Sequence, residues 1–288
     1  MLRVFLFILM QVAVVALVGL VGAVILVALD IDVNAQSYGG LLLFCAVIGC
    51  AGSVISLFLS KSMCKTAYRV RVIEIPRTDE ERFLVSTIER LSSKAGFNMP
   101  EVGIYDAPDP NAFATGASKN SALVAVSSGL LRSMNKDEVS GVLGHEISHI
   151  QNGDMVTMSL LQGILNTFVY FFSYIVAAAL ASRGNRSQSA GSSFFVRSML
   201  QLVFGFVAQI ILMWFSRFRE YRADAGSAQL NGKENMIKAL MALRRGVQPQ
   251  PRGEHEAMQA LCINGANLSS LFATHPSLED RIEALKKL

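Results

Sequence analysis

The feature that most constrains this chain is a run from Val4 to Leu29 without a single charged side chain. Such a run outlasts the apolar core of a signal peptide, about 7–15 residues, and reaches the ~20 residues that a helix needs to cross a bilayer. It reads as a retained membrane anchor. A second uncharged run, Gly39 to Leu59, follows the acidic turn DIDVNAQ and ends at Lys61, Lys65, Arg69 and Arg71. The two runs form a hairpin. The positive-inside rule leaves the basic cluster and Arg3 in the cytoplasm and puts Asp30 and Asp32 outside. With 52% hydrophobic and only 17% charged residues, the whole chain falls outside the balance of a soluble domain.

The net charge of +4 is modest, and the basic residues sit beside apolar runs, not in an arginine-rich surface interleaved with aromatics; a nucleic-acid partner is not expected. Cys45, Cys50, Cys64 and Cys262 lack paired spacing, which disfavours both a disulfide framework and a thiolate metal site.

From Val72 to Gly153 the composition turns to that of an α+β domain. Phe83, Val85, Ile88 and Leu91 mark a helix over Asp79 to Ala95, closed by Gly96. Short strands follow at Glu101 to Tyr105, Ala112 to Ala117 and Ala122 to Ser127, separated by DAPDPN and SKNS, and read as a small antiparallel sheet. Asn135 with Glu138 reads as a helix N-cap with its reciprocal partner, and Val139, Val142, Leu143, Ile147 and Ile150 supply an apolar face. The stretch GHEISHI, Gly144 to Ile150, therefore lies on a helix. Apolar character returns at Met158 to Ala181 and Ser198 to Phe215, a second hairpin. Arg183, Arg186 and Arg197 in its loop favour the cytoplasm, against full spanning. The remainder, Arg217 to Leu288, is mostly helical.

On a helix, His145 and His149 share a face and can direct ring nitrogens at one ion, while Glu146, rotated by about 100°, can reach that ion's water. Zinc acidifies its water and polarises a carbonyl, and a glutamate can shuttle the proton, which is the requirement of metal-assisted peptide hydrolysis. A chance HExxH facing solvent is the alternative. A catalytic zinc takes a third protein ligand. Glu220, in FREYRADAGSA, is the best candidate, with Asp224 on the same face able to hold a ligand histidine from behind. The same run also reads as a solvated helix on which these acids pair with Arg217, Arg219 or Arg222. If Glu220 is a ligand, the intervening hairpin must return to the side it left. His255 falls in a polar loop. His275, held extended before Pro276, and Arg281, in the first turn of a helix begun by Ser277, could together face an oxyanion; an ordinary capped helix is the other reading.

The segments PRTDEER, NAFATGA, LVAVSSGLL, GHEISHIQNGDMVTM, MWFSRFREYRADAGSA, ALCING and THPSLEDRIEAL together resemble the HtpX family of bacterial inner-membrane zinc metalloproteases, relatives of the CAAX prenyl proteases, along nearly the whole chain. The resemblance implies one zinc ion per chain held by His145, His149 and Glu220, with Glu146 as general base. It makes Asp224 a support for a ligand and places His275 and Arg281 near the oxyanion. Asn111, Ala112, Phe113 and Ala114 would belong to an edge strand on which an extended substrate adds.

The expected fold is α+β, mostly helical: an integral membrane protein with two apolar hairpins and a zincin-like catalytic domain. Residues 1–60 form the first hairpin and 61–155 a cytosolic zincin domain. Residues 156–216 form a second hairpin, spanning or embedded, and 217–288 the C-terminal helical part of the catalytic domain. The implied activity is endoproteolysis of damaged or misassembled membrane proteins at the cytoplasmic face, with unfolded or membrane-protein polypeptides and the lipid bilayer as partners. A CAAX-type processing peptidase and a non-catalytic membrane chaperone or scaffold are the competing readings. Four spans are few for an enclosed intramembrane chamber, and a scaffold has no use for Glu146. A transporter would carry ionisable residues inside its apolar segments.

Overall fold

A computed structural model describes residues 38–183, 190–246 and 276–288. The first apolar run, Arg186, His255, Cys262 and His275 lie outside the described residues. The chain divides into two compact units, one formed by residues up to Ser56 with Met158–Leu212, the other by Leu57–Thr157 with Met213–Leu288.

Among the described residues three helices carry the other apolar runs: α1 (Tyr38–Tyr68), α5 (Asp154–Arg183) and α6 (Ala190–Asn231). Each is long and apolar enough to cross a membrane. In the first unit, small residues let α1 and α5 approach closely. A Cβ added at Gly49 would meet the Thr167 backbone nitrogen at 2.7 Å, and one at Gly163 would meet the Ser53 hydroxyl at 2.6 Å. Ser159 donates to the Ser53 carbonyl at 2.8 Å across the same contact. Phe168, Phe172, Leu202, Val203 and Phe206 are exposed, as suits side chains in contact with acyl chains.

The second unit is built around a four-stranded sheet of β1 (Arg71–Val72), β2 (Glu101–Tyr105), β3 (Ala112–Gly116) and β4 (Ala122–Ser127). Its order is β1-β2-β4-β3. The sheet is mixed, which corrects the antiparallel expectation: β4 pairs parallel with β2 and antiparallel with β3. The cause is visible in ALVAVS, which is buried at every position. A strand apolar on both faces belongs at the centre of a sheet. It inserts between β2 and β3 and leaves the small residues of AFATG on the edge, where β3 takes its hydrogen bonds from β4 alone among the described residues.

Helix α2 (Asp79–Ala95) covers one face of the sheet through Leu84, Ile88 and Leu91, and the expected capping box closes between Thr78 and Glu81. After the short α3 (Ser128–Ser133), the HExxH helix α4 (Lys136–Asn152) starts at a second capping box, Asn135 with Glu138. Val139, Val142, Leu143, Ile147 and Ile150 pack into the same core. The opposite side of α4 is lined with small residues facing α6 and α7 (Lys233–Gly246). A Cβ at Gly144 would come within 2.5 Å of the Ser227 hydroxyl, and one at Gly226 within 1.9 Å of the Ser148 hydroxyl. Ser227 donates to the Gly141 carbonyl at 3.0 Å. Helix α6 does not end where its apolar composition ends at Phe215; it runs on to Asn231 and lays its polar part along α4. Helix α8 (Leu278–Lys286) starts at Ser277, whose side chain accepts from the Asp280 backbone.

Candidate metal centre

His145 and His149 stand one turn apart on the buried stretch of α4, and their Nε2 atoms are 3.1 Å apart. Glu220 reaches them from α6: one carboxylate oxygen lies 3.4 Å from His145 Nε2 and the other 3.4 Å from His149 Nε2. The three residues form the cluster able to hold a metal ion among the described residues.

Each histidine is held from behind. His145 Nδ1 lies 2.8 Å from an Asp224 oxygen. His149 Nδ1 lies 2.6 Å from Asp154. A carboxylate only accepts, so in the neutral rings each Nδ1 carries the proton and each Nε2 presents a lone pair. Lone pairs and a carboxylate converging on one point repel unless a cation or a proton lies between them. A tetrahedron of ligands about 2.0–2.1 Å from a zinc ion has edges of about 3.3 Å. The separation of the two Nε2 atoms, 3.1 Å, is close to such an edge, and each Nε2 has one of the two Glu220 oxygens at 3.4 Å. The donor set therefore fits the ion.

Protons compete for the same place. Burial works against a charged His145, but the Asp224 and Glu220 carboxylates outweigh it and lift its pKa to about 10. His149 is raised as well, burial opposing and Asp154 with Glu220 prevailing. Metal binding must then expel a proton.

Asp154 is the functional residue that the sequence reading passed over. In NGD it reads as the end of a turn, yet Gly153, at φ 70, caps α4 in the left-handed conformation and reverses the chain. Asp154 becomes the first residue of α5 and its carboxylate, 2% exposed, returns to His149. The available signal was an acid five residues after the second histidine across a glycine.

Arg281 is brought to the cluster, but behind it. Its side chain is 1% exposed. Nε donates to Asp224 at 2.8 Å and Nη2 to the other Asp224 oxygen at 2.7 Å, a two-pronged pairing, with Nη1 3.5 Å from Glu220. This geometry ties Arg281 to the orientation of Asp224, where the sequence reading had it facing an oxyanion. Glu146 is buried at the next position on α4. Asn111 immediately precedes β3; its N–H donates to the Ser127 hydroxyl at 2.9 Å and its carbonyl accepts from the Ser127 N–H at 2.8 Å. Ala112 and Ala114 pack on the core shared with α4, while Phe113 faces the other way.

The sequence pattern of peptidase family M48 matches residues 78–288. The chain belongs to peptidase family M48. Its relatives in this M48 group include the Protease HtpX of Aeromonas hydrophila, 50% identical with 99% of each chain covered. Protease HtpX of Haemophilus influenzae is 50% identical over the full length of both chains. Protease HtpX homolog of Neisseria meningitidis is 47% identical with 99% of each covered. The M48 chain also shares its fold with the crystal structure of S. mikatae Ste24p, at a TM-score of 0.66 and 19% identity, covering 99% of this chain and 67% of that one. Membership, the membrane-capable helices and the His-His-Glu cluster identify a membrane-bound, multi-pass metalloprotease.

Proposed function

We propose that this protein is a zinc-dependent endopeptidase of the bacterial inner membrane that cuts damaged or misassembled membrane proteins at the cytoplasmic face. The observation that carries the chemistry is the convergence of His145 Nε2, His149 Nε2 and the Glu220 carboxylate, one of whose oxygens lies 3.4 Å from each Nε2, with each ring backed by its own carboxylate. These three residues would hold the zinc, which when bound supplies an acidified water and a Lewis acid for the scissile carbonyl. Glu146, turned by about 100° from His145 on the same helix, takes the proton of the attacking water and delivers it to the leaving amine. Asp224 and Asp154 keep the two imidazoles in the tautomer that presents Nε2. By family resemblance His275 would serve the oxyanion. An extended substrate adds to β3, the edge strand among the described residues, beside Asn111, Ala112, Phe113 and Ala114.

The cytoplasmic assignment is supported by the basic residues that close α1, Lys61 and Lys65, followed by Arg69 and Arg71. Position supports the choice of substrate: α4 ends one residue before α5, so peptide hydrolysis would take place where membrane-protein segments emerge. A full-length Glu146→Gln variant expressed in cells under membrane stress tests this reading through the proteins retained with it. Capture of diverse misassembled membrane proteins is expected. Capture of a single defined precursor with a prenylated C-terminus would favour the CAAX-type alternative instead.

A further inference from the structure

The edge strand β3 carries one large side chain. In AFATG, Ala112 and Ala114 offer only methyl groups to the core shared with α4, whereas Phe113 projects to the opposite face of the sheet. There it lies across from Ala125 of β4, whose small side chain leaves room for the ring to reach over the sheet. It meets two tyrosines: Tyr105 at the end of β2, at a centroid distance of 5.6 Å, and Tyr68 in the last turn of α1, at 5.1 Å. The tyrosines complete the triangle at 5.2 Å, with tilted rings throughout. Cys64 and Val70 pack on the same cluster. Within the two turns before Tyr68, α1 is fastened to β2 by Lys61, 2.7 Å from Glu101, and by Lys65 on the other oxygen of the same carboxylate.

The last turns of α1 thus back the strand from the face that the HExxH helix leaves open. Tyr68 lies outside residues 78–288, the part that matches the family pattern. We infer that Tyr68 is a positioning residue for peptide binding, setting through Phe113 the tilt and depth of β3, so that affinity for extended substrates depends on the end of a membrane helix. The inference rests on the reading of β3 as the substrate-binding strand. Physical asymmetry supports it. The sheet's central strand and α4 are anchored by many buried aliphatic side chains, whereas β3 has Phe113 as its single large anchor. Removing the aromatic partner loosens the edge strand before it disturbs the metal cluster. An aromatic pair of this geometry contributes enough that its loss corresponds to about a twofold to tenfold change in an equilibrium.

The test uses the full-length, zinc-loaded protein in detergent, with internally quenched peptides of increasing length around one cleavage site. In the wild type KM falls as the peptide lengthens, because each added residue can pair with the strand. Tyr68→Ala is expected to raise KM for the longest peptide about tenfold, flatten its dependence on length, and leave kcat and zinc content unchanged. Tyr68→Phe, which keeps the ring, restores the wild-type KM. Wild-type kinetics indifferent to peptide length would remove the strand-addition reading and this inference with it. Length-dependent wild-type kinetics with an unaltered Tyr68→Ala profile would overturn the inference alone. A parallel fall in kcat and zinc content in Tyr68→Ala would overturn it too, by showing a general structural role.

Discussion

His145 and His149 are equivalent in the motif and different in their support. His145 leans on Asp224, which is itself fixed by both prongs of Arg281, so three buried residues from α4, α6 and α8 define one ring orientation. His149 leans on Asp154, a residue delivered by the turn at Gly153; the Asp154 carbonyl accepts from Arg219 at 3.4 Å. Partners of this kind commonly contribute about 10- to 100-fold to metal affinity. Asp154→Asn is accordingly expected to weaken metal binding by about that factor while the protein stays folded, as read by chelator competition. Arg281→Ala should weaken metal binding too, because it leaves Asp224 buried without its cationic partner. Unchanged metal affinity with turnover lost would return Arg281 to the substrate side, where the sequence reading put it.

Among the elements, the crossing of α4 with α6 decides whether Glu220 reaches the histidines. Gly226 lies so close to Ser148 that an added Cβ would stand 1.9 Å from its hydroxyl oxygen and 3.0 Å from its Cβ. Gly226→Ala should force the helices apart, cost about 1–3 kcal/mol of stability and lower metal affinity together. Adding Ser148→Ala, which removes the closer atom, should recover most of both; thermal unfolding with metal titration of the single and double variants checks it. The helix α4 was legible in advance because Asn135, Glu138 and the aliphatic spacing all agreed. Strand pairing was not: the turns DAPDPN and SKNS suggested an antiparallel sheet throughout, and burial on both faces of β4 explains why it pairs parallel with β2 at the centre and leaves β3 at the edge. Asp154 stayed hidden because a Gly in the left-handed conformation brings back a side chain that linear spacing places past the end of the helix. The pairing of Glu220 with the histidines was legible from chemistry, since zinc needs a third donor, while the double grip of Arg281 on Asp224 depends on the tertiary packing of α8.

Across the whole molecule, the two halves of one metal cluster are separated in sequence by two apolar helices. His149 precedes α5 and Glu220 lies near the end of α6, so an even number of crossings is required for the three donors to meet. Two helices of spanning length give two crossings, so a phosphatase reporter inserted within 184–189 should be active on the outer side, despite the neighbouring arginines; activity of a cytoplasmic reporter there would show that the hairpin dips into the membrane without crossing it, which also keeps the donors on one side. The central claim is that residues from both sides of this hairpin hold one catalytic zinc. Its most direct measurement is metal content together with casein cleavage for purified full-length wild type, Glu146→Gln and Glu220→Ala. The account predicts one zinc per chain with cleavage in the wild type, zinc without cleavage in Glu146→Gln, and loss of both in Glu220→Ala. Full zinc in Glu220→Ala, or full cleavage by Glu146→Gln, would contradict it.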